Sequence, residues 1–228
     1  MHSSKKNEIT RNVKHWVFDL DNTLYPAHCN LFEQVDKKMA QFIARLFDVS
    51  QGQAKKMQKY FFQKYGTTLR GLMTEHNIVS SEYLKFVHDI DFSVLKPDET
   101  LNKAIMNLPG NKFIYTNAST EYTYNVLRHI GLSDHFGDIF DIHDAEFLPK
   151  PDVRSYHKMI AKFSIDPKAS VMVEDLAGNL NPAAELGMTT VWVTTEKTWA
   201  RRGYDENNIH HVTSSLPKWL STITNDME

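Results

Sequence analysis

The chain of 228 residues contains a single cysteine, Cys29. One thiol cannot close an intrachain disulfide, and a reducing, cytoplasmic setting is the one expected. Long apolar runs are also missing. None approaches the roughly 18 residues that a bilayer-spanning helix needs, so no membrane partner is expected. The opening stretch "MHSSKKNEITRNVK" lacks the apolar centre of a secretory signal and reads as a polar arm over residues 1–11. Nor does one sign of charge dominate: 26 Lys and Arg stand against 28 Asp and Glu, a formal net charge of −2. Basic residues are dispersed in short pairs such as Lys55–Lys56 and Arg201–Arg202. Such a balance argues against nucleic acid as a partner. No internal repeat is present.

What is there is ordinary globular material, 41% hydrophobic and 24% charged, with enough apolar content for a core. The length suits one domain of about 150 residues and a smaller one. Residues 13–20 form a short apolar run with an acidic end, which predicts a buried strand. From residue 30 to about 89 the character changes. Leu31, Phe32, Val35, Met39, Phe42, Ile43 and Leu46 recur at helical spacing. "SQGQAKKMQKYFFQKYG" opens on a capping Ser50 and closes on Gly66. "SSEYLKFVHDI" reads as a further helix. Beyond "LKPDE", strands alternate with helices. Strands are expected at 112–115, in "SVMVED" and in "TTVWVTT", with "IFDIHDAEF" partly strand-like. The intervening helices predict a mostly parallel sheet covered on both faces. The core is therefore expected in two pieces, 12–26 and 95–228, with an all-helical insert over 27–94.

In such sheets ligands bind at the carboxyl ends of the strands, and those ends carry the chemistry. The first is followed by Asp19-Leu20-Asp21-Asn22-Thr23, the second by Thr116-Asn117, and the "SVMVED" strand ends in Glu174-Asp175. "LPKPD", with Lys150, lies between the last two. A parallel sheet brings these groups to one edge. Clustered acids with few basic partners need a cation, and hard oxygen donors suit Mg²⁺. One carboxylate can attack as a nucleophile. A carboxyl two residues on, facing the same side of an extended chain, can pass a proton to a leaving alcohol and take one back from water. A hydroxyl and a lysine can hold phosphoryl oxygens.

The ordered set "DLDNT", "YTNA", "PKPD" and "VEDLAGN" resembles the haloacid dehalogenase (HAD) superfamily of phosphohydrolases. Each motif is weak alone, and the four in order at strand ends are specific. The resemblance implies a Rossmann-like core with a helical cap inserted after the first strand. It implies Asp19 as nucleophile and metal ligand, and Asp21 as general acid/base, binding metal through its backbone carbonyl. Thr23 would orient the loop, Thr116 and Lys150 would bind the phosphoryl group with Asn117 beside them, and Asp175 would complete the metal shell with Glu174 next to it. Leu176 departs from the pattern, since many relatives have Ser there. The second acid also bears on reaction class, because the dehalogenases of the superfamily lack it.

"DNTLYP", "YGTTLRGL", "LKPD" and "TNA" together are similar to the pyrimidine 5′-nucleotidase branch. That resemblance implies a Mg²⁺-dependent phosphomonoesterase acting on a nucleoside monophosphate. Arg70 would contact substrate, and Tyr25 and Tyr65 would face a base. Two rivals stand beside it: a phosphatase for another small ester (a sugar phosphate, phosphoglycolate or a nicotinamide nucleotide), and a catalytically silent binding protein on the same scaffold. Blander readings exist for single residues. An acid pair after a strand can be a turn or helix cap, Lys150 an exposed loop residue, and Arg70 a surface ion-pair partner.

Overall fold

The computed structural model describes residues 12–224; the polar arm over 1–11 lies outside them. Six strands form one sheet: β1 (His15–Phe18), β2 (Asn111–Tyr115), β3 (Asp138–Phe140), β4 (Ser170–Glu174), β5 (Thr189–Val193) and β6 (His211–Thr213). Their order is β3-β2-β1-β4-β5-β6, and every pairing is parallel. The expected sheet is thus present and wholly parallel. It carries two strands more than the four that the apolar runs show clearly. Those two, β3 and β6, have three residues each, too short for a period to declare itself.

A strand buried on both faces must be apolar at every position. In β1, Trp16, Val17 and Phe18 are all fully buried. Their side chains alternate. Trp16 and Phe18 join Ile114, Val171, Val173 and Val191 on one face, while Val17 joins Tyr115, Phe140, Met172 and Trp192 on the other. Burying each such side chain contributes roughly 1.5–3 kcal/mol.

Helices cover both faces. On the Trp16 face lie α5 (Glu99–Asn107), α6 (Thr120–Ile130) and α9 (Leu216–Thr224), and on the Val17 face α7 (Val153–Phe163) and α8 (Leu180–Glu185). Side-chain oxygens accept from the free amides at their starts: Asp98 from Thr100 and Leu101, Ser119 from Tyr122, Asp152 from Arg154.

Between β1 and α5 stand the four helices of the insert: α1 (Leu31–Phe47), α2 (Gln51–Tyr65), α3 (Thr68–His76) and α4 (Ser80–Val87). The Ser50 cap at the head of α2 is a full capping box with Gln53, and Gly66 ends the helix at φ 84°. The stretch "YGTTLRGL" contains a separate helix start: the Thr67 hydroxyl accepts from the Arg70 amide at 3.2 Å. α1 packs on α2 and α4, and α2 packs on α3. Buried insert residues such as Leu31, Ile43, Phe61, Leu72 and Tyr83 run into the cluster on the Trp16 face.

The α2–α3 contact depends on Gly71. A Cβ there would stand 2.5 Å from Phe61 Cδ1 and 2.6 Å from Phe61 Cβ. The second distance matters more, because rotating the ring cannot relieve it; the helices would have to separate. Ala at a helix interior gains about 1 kcal/mol in propensity over Gly, whereas overpacking costs about 1–3 kcal/mol. Gly71→Ala is therefore expected to lower the urea midpoint of unfolding by the equivalent of up to about 2 kcal/mol. A raised midpoint would contradict this packing.

Candidate active site

The strand register gathers the chemistry. Phe18 is level with Ile114 of β2 and with Val173 of β4. Asp19, the next residue, donates its backbone N–H to Val173 O at 2.9 Å. Thr116 and Asp175 follow the last residues of β2 and β4. The chain winds outward in opposite directions from β1, through β2–β3 and through β4–β6, so β1 borders the topological switch point where such sheets bind ligands.

After Phe18 the chain turns rather than continuing as a strand. The amides of Thr23 and Leu24 both donate to Leu20 O, at 3.3 and 3.1 Å. Asn22 takes the left-handed conformation, φ 58°, which Asn tolerates better than most residues. The turn brings the Thr23 hydroxyl back onto Asp19 Oδ2 at 2.9 Å. It also corrects one expectation. Asp19 and Asp21 are placed by a turn, not by the alternation of an extended chain, and their partners differ completely.

Asp19 belongs to the core. Its Oδ1 accepts from Lys150 Nζ at 2.7 Å. The same ammonium donates to Glu174 Oε2 at 2.5 Å and to Tyr115 O at 3.0 Å, which uses all three of its protons. Lys150 is 2% exposed, not the exposed loop residue of the bland reading. Its backbone N–H donates to Asn117 Oδ1 at 2.9 Å, so Asn117 fixes the loop that carries the lysine. Thr116 is buried, and its hydroxyl accepts from the Ala118 amide at 3.0 Å.

Asp21 belongs to the boundary with the insert. Its Oδ1 accepts from Tyr25 at 2.5 Å and from Tyr122 at 2.8 Å. Tyr25 is buried, so its ring turns inward onto Asp21 and offers no open face to a base. Tyr65 donates to Glu75 Oε1 at 2.6 Å within the insert. Arg70 reaches from the insert to Asp152 Oδ2 at 3.4 Å; Asp152 lies two residues beyond Lys150. One residue that meets a site acid was missed by sequence reasoning. Tyr122 sits in the first turn of α6 with no motif to mark it. Asn179, in "VEDLAGN", is buried with its Oδ1 unpartnered.

The electrostatics are those of acids in excess. Asp19, Glu174 and Asp175 each present an oxygen within 4.8 Å of the others, and all are buried. Among the described residues only Lys150 forms ion pairs with them, to Asp19 and Glu174. Burial raises the Asp19 carboxyl to about 7, and Glu174 adds to the rise while Lys150 opposes it. Burial, then Glu174 and Asp19, push Asp175 well above the usual range. Asp175 Oδ2 is buried without a hydrogen-bond partner, and the Asp21 carbonyl accepts no backbone hydrogen bond among the described residues. Both oxygens of Glu174 are engaged, by Lys150 and by the Leu176 amide. Hard oxygen donors, surplus negative charge and an orphaned carboxylate oxygen fit a divalent cation of the Mg²⁺ type.

The profile of the haloacid dehalogenase-like hydrolases matches residues 13–187, and the chain belongs to that family. Among curated relatives it is similar to Phosphate metabolism protein 8 of Saccharomyces cerevisiae, 24% identical over 193 residues, covering 77% of this chain and 60% of that one. The chain thus spans about three fifths of that relative's length. Three solved structures share the fold. A HAD phosphatase from Thermococcus onnurineus matches with a TM-score of 0.61 at 17% identity, covering 94% of this chain and 98% of that one. The HAD-hydrolase YfnB from Bacillus subtilis, bound to magnesium, matches at 0.59 and 15%, covering 93% and 99%. The L-2-haloacid dehalogenase from Xanthobacter autotrophicus with chloropropionic acid covalently bound matches at 0.57 and 15%, covering 92% and 98%. No helix of the described residues is long and apolar enough to cross a membrane.

The raised Asp19 carboxyl sets a pH dependence. Its folded value of about 7 lies above the roughly 3.9 of an unfolded Asp. Between those values the folded chain binds more protons than the unfolded one, so stability rises as pH falls. In EDTA, lowering the pH from about 8 to about 6 should draw about 1 kcal/mol of unfolding free energy from Asp19, opposed by buried His88, whose value is held down at about 4, as read from urea midpoints of the parent against Asp19→Asn. Asp19→Asn should flatten that slope. A variant with the parent's slope would contradict the assigned acid excess.

Proposed function

We propose that this chain is a Mg²⁺-dependent phosphomonoester hydrolase that acts through an aspartyl-phosphate on Asp19, with a pyrimidine nucleoside 5′-monophosphate as substrate. The observation that carries the reading is the division of labour in the acid pair. Asp19 is locked among Lys150, Thr23 and the other acids, while Asp21 stands apart on two phenols.

The chemistry follows from that division. Asp19 attacks phosphorus, and Asp21 protonates the departing ribose oxygen. Asp21 then takes a proton from the water that hydrolyses the acyl phosphate. An alkoxide is a poor leaving group without a proton, whereas a halide departs as a stable anion. A second carboxyl kept beside the first is therefore support for phosphate ester over carbon–halogen cleavage. Burial raises the Asp21 carboxyl, against the two phenol hydrogen bonds, in the direction a general acid needs.

Asp19, Asp175 and the Asp21 carbonyl would hold the metal. When bound it would offset the excess of carboxylate charge and draw negative charge off the phosphoryl oxygens. Thr116, Asn117 and Lys150 would form the phosphoryl subsite. Lys150 has no proton to spare in the present arrangement, so contact with phosphate requires it to exchange a partner. Arg70, with 29% of its side chain exposed, would contact substrate from the insert. Residues 27–94 would act as a cap that closes over the strand ends and excludes bulk water. The base assignment rests on the motif resemblance in "DNTLYP" and "YGTTLRGL", and the phosphate-metabolism relative supports the phosphate chemistry alone.

Phosphate release from UMP, CMP, ribose 5-phosphate, phosphoglycolate and p-nitrophenyl phosphate, with Mg²⁺ or EDTA, tests each level. The expected outcome is turnover of UMP and CMP above the other esters, abolished by EDTA. Faster turnover of the sugar phosphate would remove the nucleotidase assignment and leave the hydrolase. Asp19→Asn should lower turnover with p-nitrophenyl phosphate by about a thousandfold or more. Activity equal to the parent's would remove the covalent mechanism. In the parent, millimolar Mg²⁺ should raise the melting temperature, and Asp175→Asn should diminish that rise.

A further inference from the structure

Asp21 is held more tightly than proton transfer alone would require. Two phenols from distant parts of the chain donate to the same oxygen, Oδ1, at 2.5 Å from Tyr25 and 2.8 Å from Tyr122. Tyr25 lies on the link leaving β1, and Tyr122 in the first turn of α6. Both are almost wholly buried, at 3% and 1% exposure. Among the described residues no side-chain donor meets Oδ2. An oxygen that accepts two such bonds has its in-plane lone pairs occupied. A proton carried by the carboxyl must then sit on Oδ2, and rotating the carboxyl would break both bonds at once.

The clamp is itself anchored. The Tyr122 ring stacks on His88, with centroids 4.3 Å apart and planes at 23°, and meets Phe92 at 5.8 Å. The Ser119 hydroxyl, at the cap of α6, pairs with His88 Nδ1 at 3.2 Å. His88 and Phe92 lie on the segment that returns the chain from the insert to the core. Tyr25 lies on the segment that leads into it. Each connection of the insert thus bears on one of the two phenols.

We propose that Tyr25 and Tyr122 are positioning residues that make Oδ2 the sole proton-exchanging oxygen of Asp21, and that couple its placement to both connections of the insert. This rests on the hydrolase reading above. In the first half-reaction an Asp19 oxygen bonds to phosphorus as the bond from phosphorus to the leaving oxygen breaks. The leaving oxygen keeps that electron pair and takes the proton from Asp21 Oδ2. In the second half, water oxygen bonds to phosphorus, its proton passes to Oδ2, and the bond from phosphorus to Asp19 breaks to restore the carboxylate. The two phenols keep their protons throughout.

Tyr122→Phe and Tyr25→Phe delete only the hydroxyl and keep the ring. The readout is kcat/KM on whichever of UMP, CMP or ribose 5-phosphate the parent turns over best, against kcat/KM on p-nitrophenyl phosphate. p-Nitrophenolate leaves without a proton, so its release does not need a correctly placed acid. Each variant should lose about tenfold or more on the alkyl ester and less than about threefold on the aryl ester. KM should stay within about twofold, and the melting temperature should report an intact fold. Should one variant fail to fold, the other carries the comparison. Equal losses on both esters, or none on the alkyl ester, would overturn the inference while leaving the hydrolase in place. A parent inert on every ester would overturn the hydrolase reading and this inference with it.

Discussion

Lys150 ties together the carboxyl ends of the three central strands. Its ammonium donates to Asp19, just past β1, to the carbonyl of Tyr115, the last residue of β2, and to Glu174, the last residue of β4. Taking a lysine out of water is costly, and only full pairing in a low-dielectric site offsets the cost. Here the pairing is complete, so the charge cannot move without leaving carboxylates buried and alone. That constraint sets the loop carrying Lys150, which Asn117 fastens from the other side. It also sets the orientation of Asp19, whose remaining oxygen is taken by Thr23.

One lysine does not balance three acids. The residual negative charge shows in the raised carboxyls of Asp19 and Asp175 and in the unpartnered Asp175 oxygen. A structural ion-pair network would ordinarily close on itself, because a buried carboxylate left open is destabilising. This one stays open on a single side, at the edge of the sheet where ligands bind. The fold thus retains an unfavourable charge arrangement at a place where a divalent cation can relieve it.

The second carboxylate obeys a different logic. Asp21 is two residues from Asp19, yet the turn through Asn22 separates their surroundings. Asp19 is held by charge and Asp21 by neutral phenols. Those phenols depend on the insert's connections, through the stacking of Tyr122 on His88. Placement of Asp19 is therefore a property of the sheet, and placement of Asp21 is a property of the boundary between sheet and insert.

Much of this was legible in the chain itself. Local rules suffice where the cause is local: the fully apolar β1, the Ser50 capping box, the helical periodicity of the insert, and the acids that follow each strand. The order of those acids and the lysine was enough to indicate the family before any coordinate. What the sequence could not determine were the partnerships between residues remote along the chain. Lys150 meets Asp19 across 131 positions, and Tyr122 meets Asp21 across 101. Such pairs are set by strand register and by how a helix seats on the sheet, and these are decided by packing of the whole core. Tyr25 shows the limit plainly. By motif it could face a substrate base, and only the tertiary structure turns it inward, where its ring is buried and its hydroxyl donates to the half-buried Asp21 carboxylate.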